Sequence, residues 1–367
     1  MSLYDVDLAA CRGRQQRLIA EMQQRGIELV IVTQHEHVQW LAGPKLMWYW
    51  QPTAALSVSG KLTLVVPNKW KGDAAADEVA TYESNLLSTL RNDQRQASMA
   101  ALQSTLGNNL PRRIGVEYSS FGRHFALPEN AELLDVEPAL YRLRRRKDAD
   151  ELARIRKAIA ATGKMYARAR EIMRPGLSEL EMFNELQTVA VQECGEMLTG
   201  TGNDYQCGSR GGAPRAGRTT AAGELYILDL GPAFRGYFAD NCRTIAVTEA
   251  SDLQQQAWQH IQPVFRHIEK TVKPGKNAKE LFDEAFAILA TAPVGVFNHH
   301  LGHGIGLFPH EAPHLNPNWD DTFELGDVFA AEPGLYAPEL KAGMRLENNY
   351  RVTQSGVELL SDFPLEL

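Results

Sequence analysis

One short pattern occurs twice in this 367-residue chain. Pro175-Gly176 recurs as Pro274-Gly275, Ser178 as Asn277, Glu181 as Glu280 and Phe183 as Phe282, always 99 residues apart. Pro-Gly ends one helix, and a Ser or Asn with a glutamate three residues on starts the next. In the first copy, Ser178 and Glu181 predict a reciprocal capping box, with Ser178 accepting from the third amide and Glu181 reaching back. Apolar runs flanking a turn follow each copy and read as a strand hairpin. The second part of the chain is therefore expected to consist of two similar halves, each a helix, a capped helix and a hairpin.

Both hairpins carry carboxylates. In the first, the runs Leu225-Tyr226-Ile227-Leu228-Asp229-Leu230 and Tyr237-Phe238-Ala239-Asp240-Asn241-Cys242 flank Pro232 to Gly236. A fold about residues 234 and 235 sets Asp229 opposite Asp240, with Cβ atoms about 5 Å apart. In the second, residues 328–332 and 344–352 flank a loop over 337–343, which sets Glu332 opposite Glu347. Arg345, Glu347 and Asn349 alternate onto one face of that strand, so Arg345 points toward the same place. His303 lies among Gly295, Gly302, Gly304 and Gly306, which predicts a loop that brings backbone close and exposes the imidazole. His300, three residues before it, could suggest a helical pair, but the glycines argue against a helix there.

Four carboxylates and one imidazole repel one another unless cations lie between them. The set suits two divalent ions such as Mn, Zn or Co. Taken singly, each group has an ordinary reading as a turn residue, cap, surface histidine or ion pair. Those readings do not explain why five such groups occupy two matching hairpins and one glycine-rich segment.

The length predicts about two domains. Residues 5–25 and 94–106 read as helices, and residues 28–33, 56–59, 62–66, 114–117 and 133–136 as strands. Together they predict an α/β domain over residues 1–145. A long helix over 141–174 opens the second domain, residues 146–367. The basic run from Arg142 to Lys147 meets Asp148, Asp150 and Glu151 at once and reads as a solvated helix face at the junction. The net charge is −7 and no basic stripe dominates, which argues against a nucleic-acid partner. No apolar run reaches membrane-spanning length. The opening residues show no signal-peptide pattern, and Cys11, Cys194, Cys207 and Cys242 show no disulfide spacing. The expectation is a cytoplasmic enzyme.

The phrases Leu228-Asp229-Leu230-Gly231, Asp240 to Thr244, His299 to Glu311, Glu332 to Tyr336 and Arg345 to Glu347 resemble, in order, those of the pita-bread metallopeptidases. That superfamily includes Xaa-Pro aminopeptidases, Xaa-Pro dipeptidases, methionine aminopeptidases and the metal-free creatinases. The resemblance covers about residues 148–360. Trp40-Leu41-Ala42-Gly43 is similar, more weakly, to a creatinase-type N-terminal domain. It implies an α+β pita-bread catalytic domain and two metal ions per chain, Mn foremost. Asp229 and Asp240 would hold one ion, and Asp240, His303, Glu332 and Glu347 the other. A water between the ions would attack an amide carbonyl, with Glu332 as proton shuttle. His310 matches a histidine that stabilises the tetrahedral intermediate, His299 a substrate contact, and Arg345 an arginine near the substrate. A small peptide or amide substrate and a homodimer are implied.

The family's further histidine, some 17 to 21 residues before the first aspartate, is missing. That window reads Gly208-Ser209-Arg210-Gly211-Gly212-Ala213-Pro214-Arg215. Arg210 and Arg215 are candidates for binding an anionic group, against the alternative of a flexible surface loop. The departure keeps two other functions open: hydrolysis or cleavage of a small non-peptide metabolite, and metal binding without peptidase activity. Cys242 stands where the family usually has threonine. Trp40, Trp48, Tyr49 and Trp50 are read as core, with a wall over a neighbouring subunit's site as the sharper alternative.

Overall fold

The computed structural model describes residues 3–122, 124–202 and 204–367. It divides into two compact units, Met1–Arg144 and Arg145–Leu367. In the first, α1 (Leu8–Arg25) is capped by Asp7, which accepts from Ala10 N at 2.9 Å, and is closed by Gly26 at φ 65°. There follow β1 (Leu29–Val32), α2 (His35–Ala42), β2 (Thr53–Ser57), β3 (Leu62–Pro67), β4 (Glu78–Tyr82) and a small hairpin, β5 (Asn85–Leu86) and β6 (Thr89–Leu90). Then come α3 (Gln94–Leu106), β7 (Arg113–Val116), β8 (Glu132–Asp135) and α4 (Glu137–Arg145). Six of these strands form one mixed sheet in the order β4-β3-β2-β1-β7-β8. Ile31, Val65, Met99, Leu102, Ile114 and Val116 lie in one core cluster, so α3 packs on that sheet. Of the aromatic group read as core, Trp40 is buried, but Trp48 is 84% exposed and touches Tyr49 edge-on.

The helix expected over 141–174 is two helices. Asp148 and Glu151 form a capping box that starts α5 (Ala149–Ile172) afresh, with Asp148 N donating to Glu151 Oε2 at 2.9 Å. The basic run is only partly a solvated face. Arg144, Arg145 and Lys147 are buried. Arg145 Nη2 lies 2.7 Å from Asp327 Oδ2, and Lys147 Nζ lies 2.9 Å from Glu311 Oε2. The charges that looked solvated in sequence meet acids more than 160 residues away.

The second unit continues with α6 (Glu179–Cys194), β9 (Asp204–Cys207), β10 (Leu225–Leu230), β11 (Ala233–Phe234), β12 (Tyr237–Phe238) and β13 (Asn241–Ala246). Next come α7 (Asp252–Thr271), α8 (Ala278–Leu289), β14 (Gly302–Gly304), β15 (Glu311–Leu315), β16 (Val328–Ala331), β17 (Gly334–Leu335), β18 (Met344–Arg345), β19 (Asn348–Val352) and β20 (Val357–Leu359). One sheet runs β13-β10-β9 and the other β15-β14-β16-β19-β20. Met165 of α5 and Leu186 of α6 share a core with Tyr226 and Leu228. Ile261 of α7 and Leu281 of α8 share one with Phe329 and Tyr350. Two helices packed on a sheet thus occur twice, which is the pita-bread arrangement.

The repeat is structural. After Gly176, Ser178 bridges to Thr219, and after Gly275, Asn277 bridges to Thr322. Gly176 N donates to Thr220 O and Gly275 N to Phe323 O, at 2.8 and 2.9 Å. Asn277 caps α8 by accepting from Glu280 N at 3.0 Å. Ser178 stands at the cap of α6, but its side chain makes no capping bond, and Glu181 pairs instead with Arg174 at 2.9 Å. The expected box is therefore absent: an arginine within reach competes for the glutamate.

Candidate metal centre

The first hairpin turns one residue later than the sequence suggested, which moves the pairing register by two. Arg235 and Gly236 occupy the turn at φ 50° and 89°, so Asp229 faces Cys242 rather than Asp240. Side chains alternate with a period of two, so a two-residue shift keeps Asp240 on the same face, diagonal to Asp229. In the second half, Ala331 pairs with Asn348 and Gly334 with Arg345. Glu332 and Glu347 fall in the gap between these ladders, at matched positions.

His303 is not on a loop. It is the middle residue of β14, pairing with Ala330 on one side and His314 on the other. The glycines around it serve close strand approach. A Cβ at Gly302 would lie 2.0 Å from Ala330 O, and one at Gly304 2.2 Å from Ala312 O. His303 Nδ1 bonds Gly304 O at 3.0 Å, which leaves Nε2 facing Asp240 Oδ2 at 3.5 Å and Glu332 Oε1 at 3.6 Å. Burial outweighs the nearby Glu332 charge and brings the His303 pKa down to about 3, so the ring is neutral and its Nε2 lone pair is free to ligate.

The two halves are stitched together at the site. Glu347 N donates to Cys242 O at 2.9 Å, and Asn349 Nδ2 to Asp240 O at 2.6 Å. Thr244 Oγ1 donates to Arg345 O at 2.9 Å, and buried Arg243 donates to Glu347 O and to Pro364 O. These bonds hold the strands of both hairpins in a fixed relation. Lys147, through Glu311, steadies the segment that carries His310. Glu311 Oε1 also accepts from Phe308 N at 3.1 Å.

Four sets of possible ligand atoms each fall within 4.8 Å of one another, among them Asp229-Asp240-Glu347 and His303-Glu332-Glu347. Asp229, Asp240, Glu332 and Glu347 are 9, 5, 6 and 1% exposed. Asp229 Oδ1 and both carboxylate oxygens of Glu347 are buried without a hydrogen-bond partner among the described residues. Orphaned carboxylate oxygens at such depth cost several kcal/mol unless a cation meets them. The residues present therefore fit a divalent metal centre. Burial first, and the neighbouring carboxylates next, push Asp240 and Glu347 well above the usual carboxylate range. Burial likewise raises Asp229, to about 6, although Arg345 pulls it down. Burial also pushes Glu332 up, but the hydrogen bond and charge of His300 outweigh it and bring this carboxyl to about 2. Unmetallated, the cluster keeps some of its protons; cations would displace them.

The cluster opens onto a cavity of about 310 Å3 that is lined by Asp229, Asp240, His303, Glu332, His299, His310, Arg210 and Arg345. Glu347 does not line it but shares ligand sets with Asp229, Asp240, His303 and Glu332, which do. His310 stacks on His303 with centroids 3.6 Å apart. His299 has both nitrogens engaged, Nδ1 with His300 O at 2.7 Å and Nε2 with Tyr336 OH at 3.0 Å. Burial lowers its pKa to about 4, so it is neutral. Arg210 lies over the Tyr336 ring at 3.9 Å and bonds Asn298 Oδ1 at 2.6 Å. Arg215, expected beside it, is turned away, bonded to buried Glu179 at 2.6 Å, and does not line the cavity. A buried carboxylate holds that guanidinium more firmly than an open cavity can. Cys242 is fully buried and its thiol is pushed well above its ordinary value by burial, so it stays protonated.

Three residues escaped the sequence reading. Asp204, on β9, faces Asp229 directly. Alternation in Asp204-Tyr205-Gln206-Cys207 is the signal that marks that strand. His300 Nε2 reaches Glu332 Oε1 at 3.0 Å from an irregular segment, whereas only a helical pairing with His303 was weighed. Tyr336 joins His299 to Arg345, whose Nη1 lies 3.3 Å from its hydroxyl.

The fold and this donor set define a pita-bread hydrolase centre. The model of metallopeptidase family M24 matches residues 153–354, which is 202 of the 367, and that of the Creatinase/Prolidase N-terminal domain matches residues 14–146. The chain belongs to metallopeptidase family M24 and carries a Creatinase/Prolidase N-terminal domain. It is 29% identical over 248 residues to an Xaa-Pro dipeptidase of Lactobacillus delbrueckii subsp. lactis, covering 66% of this chain and 67% of that one. It is 30% identical over 251 residues to a probable dipeptidase, PepE, of Mycobacterium tuberculosis, covering 65% of each. The solved prolidase of Pyrococcus horikoshii OT3 superposes with a TM-score of 0.79 at 23% identity, over 97% of this chain and 99% of that one. At that identity the likeness speaks for the fold.

Proposed function

We propose that the protein is a dinuclear metal-dependent hydrolase of small substrates with an amide bond, most closely an Xaa-Pro dipeptidase or aminopeptidase. The observation that carries this is the set of buried, unpartnered oxygens on Asp229 and Glu347, in a cluster that Asp240, His303 and Glu332 complete. Asp229 and Asp240 would hold one divalent ion, Mn foremost. Asp240, His303, Glu332 and Glu347 would hold the other, with Asp240 and Glu347 shared. When bound, the pair supplies Lewis-acid polarisation of a carbonyl and a water acidified toward neutral pH.

The chain's own groups do the rest. Glu332, ionised and hydrogen-bonded to His300, takes a proton and passes it to the leaving nitrogen. His310 faces the cavity beside His303 and donates to the charge that develops on the carbonyl oxygen. Arg210 and Arg345 offer cations at the same cavity, suited to a free carboxylate on the substrate. The names of the dipeptidase relatives support a dipeptide substrate.

A second reading, a small non-peptide metabolite, draws on Arg210 over Tyr336 and on Asp204, in place of the histidine missing from that window. The test is turnover of a dipeptide panel that includes Xaa-Pro, with protein reconstituted in manganese. Cleavage of Xaa-Pro dipeptides supports the first reading, and no turnover on any member supports the second. Fewer than one divalent ion per chain after reconstitution would refute the dinuclear centre itself.

A further inference from the structure

Arg345 sits at the edge of the carboxylate cluster, 9% exposed, and shares one nitrogen between two acids. Its Nη2 donates to Asp229 Oδ2 at 2.7 Å and also to Asp204 Oδ2. The two aspartates face one another across β9 and β10. Asp204 is itself held from the other side, because its Oδ1 accepts from Gly212 N at 2.6 Å. The loop closes tightly on it, and a Cβ on Gly211 would stand 2.2 Å from Asp204 Oδ2. Arg345 Nη1 lies 3.4 Å from Arg210 O, and Nε has no hydrogen-bond partner among the described residues.

This geometry sets up a competition. Asp229 presents one unpartnered oxygen to the cluster and gives the other to a guanidinium. A buried guanidinium cannot shed its charge and needs a carboxylate beside it. A cation taking Asp229 draws electron density from the group that neutralises Arg345. Asp204 is the second carboxylate on Nη2, fixed by backbone and lying outside the four ligand sets, while Glu332 Oε2 stands farther off, 3.8 Å from Nε.

We propose that Asp204 is a positioning residue that holds Arg345 and so leaves Asp229 available to metal. Without its charge, Arg345 Nη2 settles on Asp229 and competes with the ion there. The proposal rests on the reading of Asp229 as a ligand.

The test is calorimetric titration of manganese into the metal-free full chain, with Asp204→Asn, Arg345→Met and the double variant. Asp204→Asn keeps an acceptor for Gly212 N and removes the charge. It should weaken one of the two ions about tenfold to a hundredfold, the range typical of groups that orient ligands. In the Arg345→Met background the same change should cost nothing, because the competitor is gone. Asp204→Glu, which keeps the charge, should recover most of the affinity. Arg345→Met alone should bind at least as tightly as the wild type, an arm that does not depend on the Asp204 variants folding. Unchanged affinity in Asp204→Asn overturns the proposal. So does an equal loss in both backgrounds, which would make Asp204 a ligand or a purely structural group. Weaker binding by Arg345→Met overturns it as well. If the wild type binds two ions and the cycle fails, only the role of Asp204 falls. If the wild type binds none, the metal centre falls with it.

Discussion

At the scale of single residues, burial decides what each charged group does. Glu347 is 1% exposed and neither carboxylate oxygen has a hydrogen-bond partner among the described residues, whereas Arg215 sits on Glu179 and is spent. His310 differs from Glu347 in kind, since it is open to the cavity and stacks on a neutral imidazole. The two should therefore separate by experiment. Glu347→Ala is expected to lose both metal binding and turnover, and His310→Ala to keep its metal while kcat falls at least about a hundredfold, the range for loss of one oxyanion donor. Metal analysis beside steady-state kinetics checks this, and an active Glu347→Ala with two ions bound would contradict the shared-ligand assignment.

At the scale of elements, the site depends on how closely strands approach. β14 is three residues long and lies between β15 and β16, with His303 at its centre. Gly304→Ala would place a methyl 2.2 Å from Ala312 O, a backbone atom that can yield only by moving β15. The expected cost is about 1–3 kcal/mol from overpacking, read as a lower urea midpoint, together with weaker metal binding because His303 shifts. An unchanged midpoint would mean that β15 gives way freely. The first hairpin teaches the same lesson. Its parity was readable in the spacing of Asp229 and Asp240, but the turn position was not. Arg235-Gly236 won the turn because both residues accept positive φ there.

At the scale of the whole molecule, the two units should respond to different variables. Ions that bind the folded cluster and not the unfolded chain stabilise the second unit by mass action, about 2.7 kcal/mol at a hundredfold excess over Kd. Manganese should raise the melting temperature and a chelator lower it, and a scan indifferent to both would contradict the centre. The first unit holds a separate acid-sensitive cluster. Buried Glu117 accepts from Thr33 N at 2.6 Å and lies 2.6 Å from His37 Nδ1. Burial pushes Glu117 up, but His37, Thr33 and Ser120 together bring it below the usual carboxylate range. A depressed folded pKa gives stability that is present above the unfolded value and lost as pH falls through the folded one. Glu117→Gln should therefore lose less stability than the wild type between about pH 5 and pH 3 in urea titrations. Equal acid sensitivity would remove that role. Light scattering would test the expected homodimer.

The sequence alone indicated the repeat, many of the strands and helices, and five groups that the fold brings near one another. These follow from local rules: helix stops and starts, and the period of two along a strand. Tertiary structure alone decided who neutralises whom. Arg145 finds Asp327, Lys147 finds Glu311, and Arg345 is shared by Asp204 and Asp229. Charge pairing inside a protein is set by desolvation and by distances between segments far apart in the chain. A local reading assigns such groups to solvent because it cannot see which acid the fold will bring alongside.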